Sequence, residues 1–272
     1  MLRLDDYLTR VGLPRPAGPG LQALTDLHEA HVRAIPFENV DIQLGRSISL
    51  ALPDLEAKLV RGGRGGYCFE QNTLFRAALE AVGFQVEAFE ARVRTGTDLV
   101  LPRTHMLLQV RVGGRAWLCD VGFGGGGPFR PVPMDGEPAA LGRWTYRVRP
   151  EGPLRVLQSL AGETWMDLYA FHPEPRPDVD FELANWYTST HPRSRFVLAL
   201  TAQRTTPEVR FILRNLRLEE DRPGGWVVRD LAREDVTAVL HEVFGLQIPA
   251  DARFWALDPE RGRDGDVIGI KG

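Results

Sequence analysis

The stretch that most constrains the fold is "THMLLQVRVGGRAWLCDVGFG", Thr104 to Gly124. Two apolar, β-rich runs are joined by Gly113-Gly114, and a two-glycine connection between such runs predicts a tight hairpin. With those glycines as the turn, Val112 lies opposite Arg115, Leu107 opposite Asp120 and His105 opposite Gly122. Opposed residues share a face of the sheet, and so do alternate residues along each strand. His105 and Asp120 are therefore predicted on one face as diagonal neighbours, about 7–8 Å apart at the backbone and within side-chain reach. The same register turns Cys119 to the other face, where it reads as packing. An acid between Cys119 and Val121, inside an apolar run, is costly to bury without a partner, and His105 supplies one.

A second stretch, "RGGRGGYCFEQN" (Arg61 to Asn72), sets Cys68 behind two glycine pairs. Glycines let a backbone turn sharply and approach closely. From Glu70 to Val82 the apolar residues Leu74, Phe75, Ala78, Leu79 and Val82 follow helical spacing, and Gly83 stands at the C-terminal cap position. Cys68 thus falls at or just before a helix start, whose positive end favours a thiolate. A thiolate nucleophile needs a base, and the base needs an orienting carboxylate. Cys68, His105 and Asp120 form such a set. The plainer readings are a small hydrophobe at a helix end, a strand histidine satisfied by backbone and an acid capping a turn.

At 272 residues the chain is long enough for a large core and more than one folding unit. Its net charge of −3 gives no sign of nucleic acid or a membrane surface as partner. Cys68 and Cys119 are the only cysteines, which argues against a disulfide scaffold and fits a reducing cytoplasm. No cluster of Cys and His has the spacing of a structural zinc site, so no metal is expected. The start, "MLRLDDYLTR", lacks the apolar run of a signal peptide, and no stretch approaches the roughly 20 apolar residues of a membrane span.

Three regions are expected. Residues 1–85 read as helical, with Leu21, Leu24, Leu27, His31 and Val32 on one helix face and Asp54 opening another helix in "SLALPDLEAKLV". Residues 86–190 hold all but the first two residues of "FQVEAFEARVR", then the hairpin, "RWTYRVRP", "PLRVLQSL" and "TWMDLYAF", short β-rich runs that suggest an antiparallel sheet or barrel. Residues 191–272 mix strands ("VRFILRNLRLEE", "GWVVRDL") with a helix in "EDVTAVLHEVFGL". Glu38, in "AIPFENVDI", wants a cation and Arg64 is the candidate; a surface acid in a loop is the alternative. "GFGGGGPFRP" offers backbone N–H groups for phosphates but lacks the P-loop ending and the Rossmann spacing. "FELANWYTSTHPRSRF" is either a pocket wall or a connection. Arg193, Arg195, Arg204, Arg210 and Arg214 are dispersed and read as solvated.

The set of segments resembles the arylamine N-acetyltransferases. "RGGRGGYCFEQN", "THMLLQV", "WLCDVGFG", "IPFENVDI" and "NWYTSTHPRSRF" look like family segments in the same order, most closely from about residue 34 to 200. The resemblance, to a shorter bacterial-type form, implies an α+β fold: an N-terminal helical bundle, a central antiparallel β-barrel and a C-terminal α/β lid, with a core like that of cysteine proteases. It implies Cys68 as nucleophile, His105 as base, Asp120 as third member, and an Arg64–Glu38 ion pair near the site. It places Phe37 and Phe123 near the acceptor, and Gly124, Gly125 and Gly126 near the pyrophosphate of coenzyme A. The implied reaction is ping-pong transfer from acetyl-CoA to an arylamine or hydrazine, without a metal. The alternatives are an amide synthase that closes a carrier-bound acyl chain on an aryl amine, a peptide hydrolase or transamidase, and an idle binding module. The tail "RGRDGDVIGIKG" bears no family signature, and it either closes over the coenzyme site or frays.

Overall fold

The structure, a computed structural model, describes residues 2–95, 99–249 and 251–258. The tail just quoted lies outside the described residues. The N-terminal part is built from α1 (Leu4–Val11), α2 (Leu21–Ala34), the two-residue strand β1 (Phe37–Glu38), α3 (Val40–Gln43), α4 (Leu52–Leu55) and α5 (Cys68–Val82). In α2 the spacing buries Leu24, Leu27 and His31 as expected. Leu21, in the first turn, is 43% exposed, and His28 takes the buried place one turn after Leu24. The helix start in "SLALPDLEAKLV" is α4, with Asp54 in its first turn, and it runs on into a π-helical turn over Glu56–Arg61. α5 begins two residues earlier than its apolar spacing alone shows and ends at Gly83, whose N–H returns to Leu79 and Glu80.

Eight antiparallel strands follow: β2 (Val86–Val93), β3 (His105–Val112), β4 (Arg115–Cys119), β5 (Val132–Pro133), β6 (Ala139–Leu141), β7 (Trp144–Glu151), β8 (Leu154–Ala161) and β9 (Thr164–Phe171). Their spatial order is β5-β4-β3-β2-β9-β8-β7-β6, and β5 meets β7, so the sheet curls into a nearly closed barrel. β3 has no solvent face over most of its length. Met106, Leu108 and Val110 pack with the helical core, while Leu107 joins Phe89, Leu118 and Phe171 inside the barrel. The hairpin has the predicted register, from Val112 opposite Arg115 to Leu108 opposite Cys119. Gly113 and Gly114 have φ of 59° and 77°, the pair of left-handed residues that a two-residue hairpin turn requires. β4 ends at Cys119, so Asp120 to Phe123 leave the ladder. Cys119 packs into the helical core, on the face opposite Leu118.

The chain then forms α6 (Asp178–Thr190) and α7 (Arg195–Leu198), and a second antiparallel sheet of β10 (Thr201–Thr205), β11 (Arg210–Arg214), β12 (Arg217–Arg222) and β13 (Gly225–Asp230). "VRFILRNLRLEE" is two strands, because Asn215 at φ 52° turns the chain between them. α8 (Val236–Glu242) buries Val236, Val239 and Leu240 in the core of this part, as its spacing predicts. β1 pairs with β10, so the N-terminal part contributes the first strand of the C-terminal sheet. Arg210 departs from the solvated reading. It is buried, its guanidinium 3.8 Å from the Trp144 ring centre and bonded to the Tyr146 hydroxyl. Among the described residues no helix is long and apolar enough to cross a membrane, and no cluster of three or more His, Cys, Asp or Glu is placed to hold a metal ion.

Candidate active site

The glycine loop before Cys68 serves backbone packing. Gly66 lies beside Phe37 in a parallel bridge, and its carbonyl accepts the Glu38 N–H at 3.0 Å. A side chain at Gly65 would collide with the carbonyl of Pro36, so only glycine lets the loop lie this close to β1. The loop delivers Cys68 as the first residue of α5, with Tyr67 capping and the Glu70 carboxylate accepting the Tyr67 N–H at 3.2 Å. The amides of the first helical residues have no partner within the helix, so the thiol sits at the positive end.

His105 opens β3, and Asp120 lies just past the end of β4. His105 Nε2 is 2.7 Å from Asp120 Oδ2, and the Cys68 side chain lies near enough to act on the ring electrostatically and to share one cavity with it. The Cys68 sulfur also lies 3.7 Å from the Thr104 carbonyl. All three groups are buried. Asp120 is held by further donors: the Tyr169 hydroxyl to Oδ2 at 2.8 Å, and the Asn72 amide and Gly122 N–H to Oδ1, each at 3.0 Å. Burial alone would push this carboxyl up, but the charge and hydrogen bond of His105, with Asn72 and Gly122, hold it below the usual carboxylate range. Burial alone would also keep His105 neutral, yet the charge and hydrogen bond of Asp120, with the contact to Cys68, raise it to about 10. Its ring is flanked by Phe123 at 5.2 Å and Tyr169 at 4.7 Å. Sequence reasoning missed Asn72 and Tyr169. Asn72, in the quoted motif one turn after Cys68, was within its reach; Tyr169 carries no local signal.

Next to this set lies an ionic cluster. Arg64 reaches Glu38 Oε1 through Nη2 at 2.7 Å and Nε at 3.0 Å, joining the two residues that the sequence paired. The cluster is larger than that pair. Arg64 Nη1 is 3.2 Å from Asp41, and Lys58 Nζ is 2.7 Å from both Asp41 and Glu70. Glu70, buried among these charges, is raised by burial to about 7, against the pull of Lys58. Glu38 also accepts the Val40 N–H, and it thus ties the glycine loop to the segment carrying Phe37.

A cavity of about 660 Å³ opens on Cys68 and His105. Phe37 and Phe123 line it, and Phe196 stands 5.9 Å from Phe37. Of the three glycines singled out, Gly126 lines this cavity; Gly124 and Gly125 pack against Gln203 and Ile212, residues that also line it. "FELANWYTSTHPRSRF" supplies a wall through Tyr187, Thr188 and Arg193 to Phe196. It is also fastened to the start of α5, the helix that Cys68 opens, by the Tyr67 hydroxyl on Asn185.

A fold of helical bundle, barrel and C-terminal α/β layer, with this cavity between them, defines a transferase once it is set beside known proteins. Residues 20–253 match the family model described as N-acetyltransferase. An arylamine N-acetyltransferase of Mycolicibacterium smegmatis is 39% identical over 254 residues, covering 90% of this chain and 92% of that one. The crystal structure of the Nocardia farcinica arylamine N-acetyltransferase superposes with a TM-score of 0.85 at 39% identity, covering 91% of this chain and 90% of that one. That of the Mycobacterium marinum enzyme in complex with CoA gives 0.84 at 34% identity, covering 89% and 92%. The chain belongs to the arylamine N-acetyltransferase family. It is an α+β enzyme with a cysteine-protease-like core, and its family activity is acetyl transfer to arylamines.

Proposed function

We propose that the enzyme works by ping-pong transfer through an acetyl-Cys68 intermediate, with acetyl-CoA as donor and an arylamine or arylhydrazine as acceptor. The observation that carries this reading is the buried chain Cys68–His105–Asp120 opening on one cavity. The raised His105 favours an imidazolium beside a thiolate. The sulfur attacks the thioester carbonyl, and the oxyanion is assigned to the backbone N–H of Cys68 at the helix start. The bond from carbonyl to coenzyme sulfur breaks, and the His105 proton passes to the departing thiolate. The amine then attacks the acetyl group on Cys68, its proton moves to the now neutral His105, and Cys68 leaves as thiolate. The ion pair is thereby restored. Phe37, Phe123 and Phe196 offer faces for an aromatic acceptor, and Gly124 to Gly126 border the donor side.

Two free, buried cysteines support a reducing, cytoplasmic setting. A cavity of small-molecule size and a net charge of −3 support small-molecule substrates over nucleic acid or membrane. Intact mass after mixing with acetyl-CoA tests the reading. The expected result is one acetyl group on Cys68, discharged by an arylamine and absent in Cys68→Ala. Turnover by Cys68→Ala would refute the assigned nucleophile. No adduct on an alkylatable Cys68 would shift the donor to a carrier-bound acyl chain.

A further inference from the structure

Three arginines that look scattered in the sequence meet at the cavity. Arg193 lies between α6 and α7, Arg195 opens α7, and Arg214 ends β11, and all three line the space that also holds Cys68. Among the described residues no Asp or Glu lines it. Elsewhere the guanidinium groups of Arg64, Arg94 and Arg143 are matched to carboxylates. These three have no such match among the described residues. Partial burial and the nearby charge of Arg214 both push Arg195 below its ordinary value, the sign of cations crowded without a counter-ion. The Arg195 guanidinium sits 5.7 Å from the Phe196 ring, and Phe196 leads on to Phe37. The wall therefore passes from a cationic rim to an aromatic floor beside Cys68.

The glycine-rich loop is less able to carry negative charge. The Gly125 N–H is bonded to Gln203, and the Gly127 N–H to the Gly124 carbonyl at 2.9 Å. The carbonyls of Gly126 and Gly127 accept from Tyr146. Two of its amides are thus engaged within the protein, and its glycines bring no side-chain donor. Guanidinium groups present paired donors that match phosphate oxygens.

We propose that Arg193, Arg195 and Arg214 hold the phosphate groups of the acyl donor, so that this wall selects a phosphorylated thioester by its polyanionic end. The inference rests on the acetyl-CoA reading above. A donor whose phosphates and thioester stand at opposite ends of a neutral arm fits a cavity with cations at the rim and a thiol at the floor.

The test compares two acetyl donors on the whole protein: acetyl-CoA, and p-nitrophenyl acetate, which has no phosphate. The readout is the ratio of their second-order rate constants for acetylating Cys68 in wild type, Arg195→Gln, Arg214→Gln and the double variant. Loss of a charge-assisted contact predicts a fall in this ratio of about tenfold per arginine. Arg195→Lys should recover part of it. Inorganic pyrophosphate should compete with acetyl-CoA in wild type and lose that effect in the double variant, and added salt should lower the wild-type ratio. A ratio in the double variant equal to that of wild type overturns the assignment of this wall. Wild type that takes acetyl from p-nitrophenyl acetate but not from acetyl-CoA overturns the donor reading itself, and the wall with it.

Discussion

His31 and His105 are both sealed from water, and they end in opposite states. His31, on α2 in the helical core, is pushed by burial down to about 3. Its Nε2 meets only the Gln71 side-chain oxygen at 2.7 Å, so that nitrogen carries the proton and Nδ1 accepts from the Tyr7 hydroxyl at 2.9 Å. His28, one turn earlier, is lowered by burial to about 4 and takes the Asp120 N–H on Nε2 at 3.1 Å. His105, at the mouth of the barrel, rises to about 10. Burial acts in the same direction on all three. What reverses the sign is one carboxylate at hydrogen-bond distance, itself held ionised by Tyr169, Asn72 and the Gly122 amide. The neutral histidines brace α2, α5 and Asp120, whereas the charged one is equipped to move a proton.

Asp120→Asn breaks the comparison most severely, because it removes the feature that separates His105 from His31. Acetylation of Cys68 should fall by about 10³–10⁴-fold, as when a triad loses its orienting carboxylate. The imidazole titration, followed by NMR, should drop from about 10 to below 6.5. An unchanged titration would refute the electrostatic account. His31→Leu should do the converse. It strands the Tyr7 hydroxyl and the Gln71 oxygen, which costs about 1–3 kcal/mol for each buried unpaired group in chemical denaturation, while acetylation slows far less than in Asp120→Asn.

A pH series sharpens the contrast further. His105 is raised in the folded state, so the stability it contributes is complete below pH 6.5 and is lost as pH rises through about 10. The loss of stability from pH 6.5 to 10 should be larger in wild type than in Asp120→Asn. The smallest effect is expected of Tyr169→Phe, which removes one of several donors to Asp120. A rate loss of about tenfold or less, the worth of a single hydrogen bond, should accompany it.

Much of this site was legible because it is local. The hairpin register follows from two glycines, and it turns Cys119 away from the barrel face; Asp120, one residue past the end of the ladder, still meets His105, but with the help of Asn72 and Tyr169. Helical spacing and Gly83 position α5, and hence Cys68. What escaped depends on contacts far apart in sequence. Tyr169 meets Asp120 across the barrel, Lys58 and Asp41 join Arg64 and Glu70 through the packing of α3, the π-helical turn and the glycine loop, and Arg210 finds Trp144 from the other sheet. None of these residues has a neighbour in sequence that reveals its partner. The two-residue strands β1 and β5 are too short for any alternation to register, and the turn at Asn215 lacks the glycine that usually marks one, although Asn enters left-handed backbone more readily than most other residues.

The two-residue strand β1 also sets an order of assembly. Directly after it, Asn39 is buried, its side chain donating to the carbonyls of Phe196 and Ala199, each at 2.7 Å, and accepting the Thr201 N–H at 2.8 Å. β1 itself has the glycine loop on one edge and β10 on the other. On a ribosome, the helices and barrel emerge before β10 and the segment from Phe196 to Thr201 exist. A chain halted after β9 already contains Cys68, His105 and Asp120, yet β1 still has an open edge and the Asn39 side chain lacks Phe196, Ala199 and Thr201. Completion of the site therefore waits on residues more than a hundred positions downstream of the cysteine, and a truncated product is left with its thiol beside an unfinished sheet.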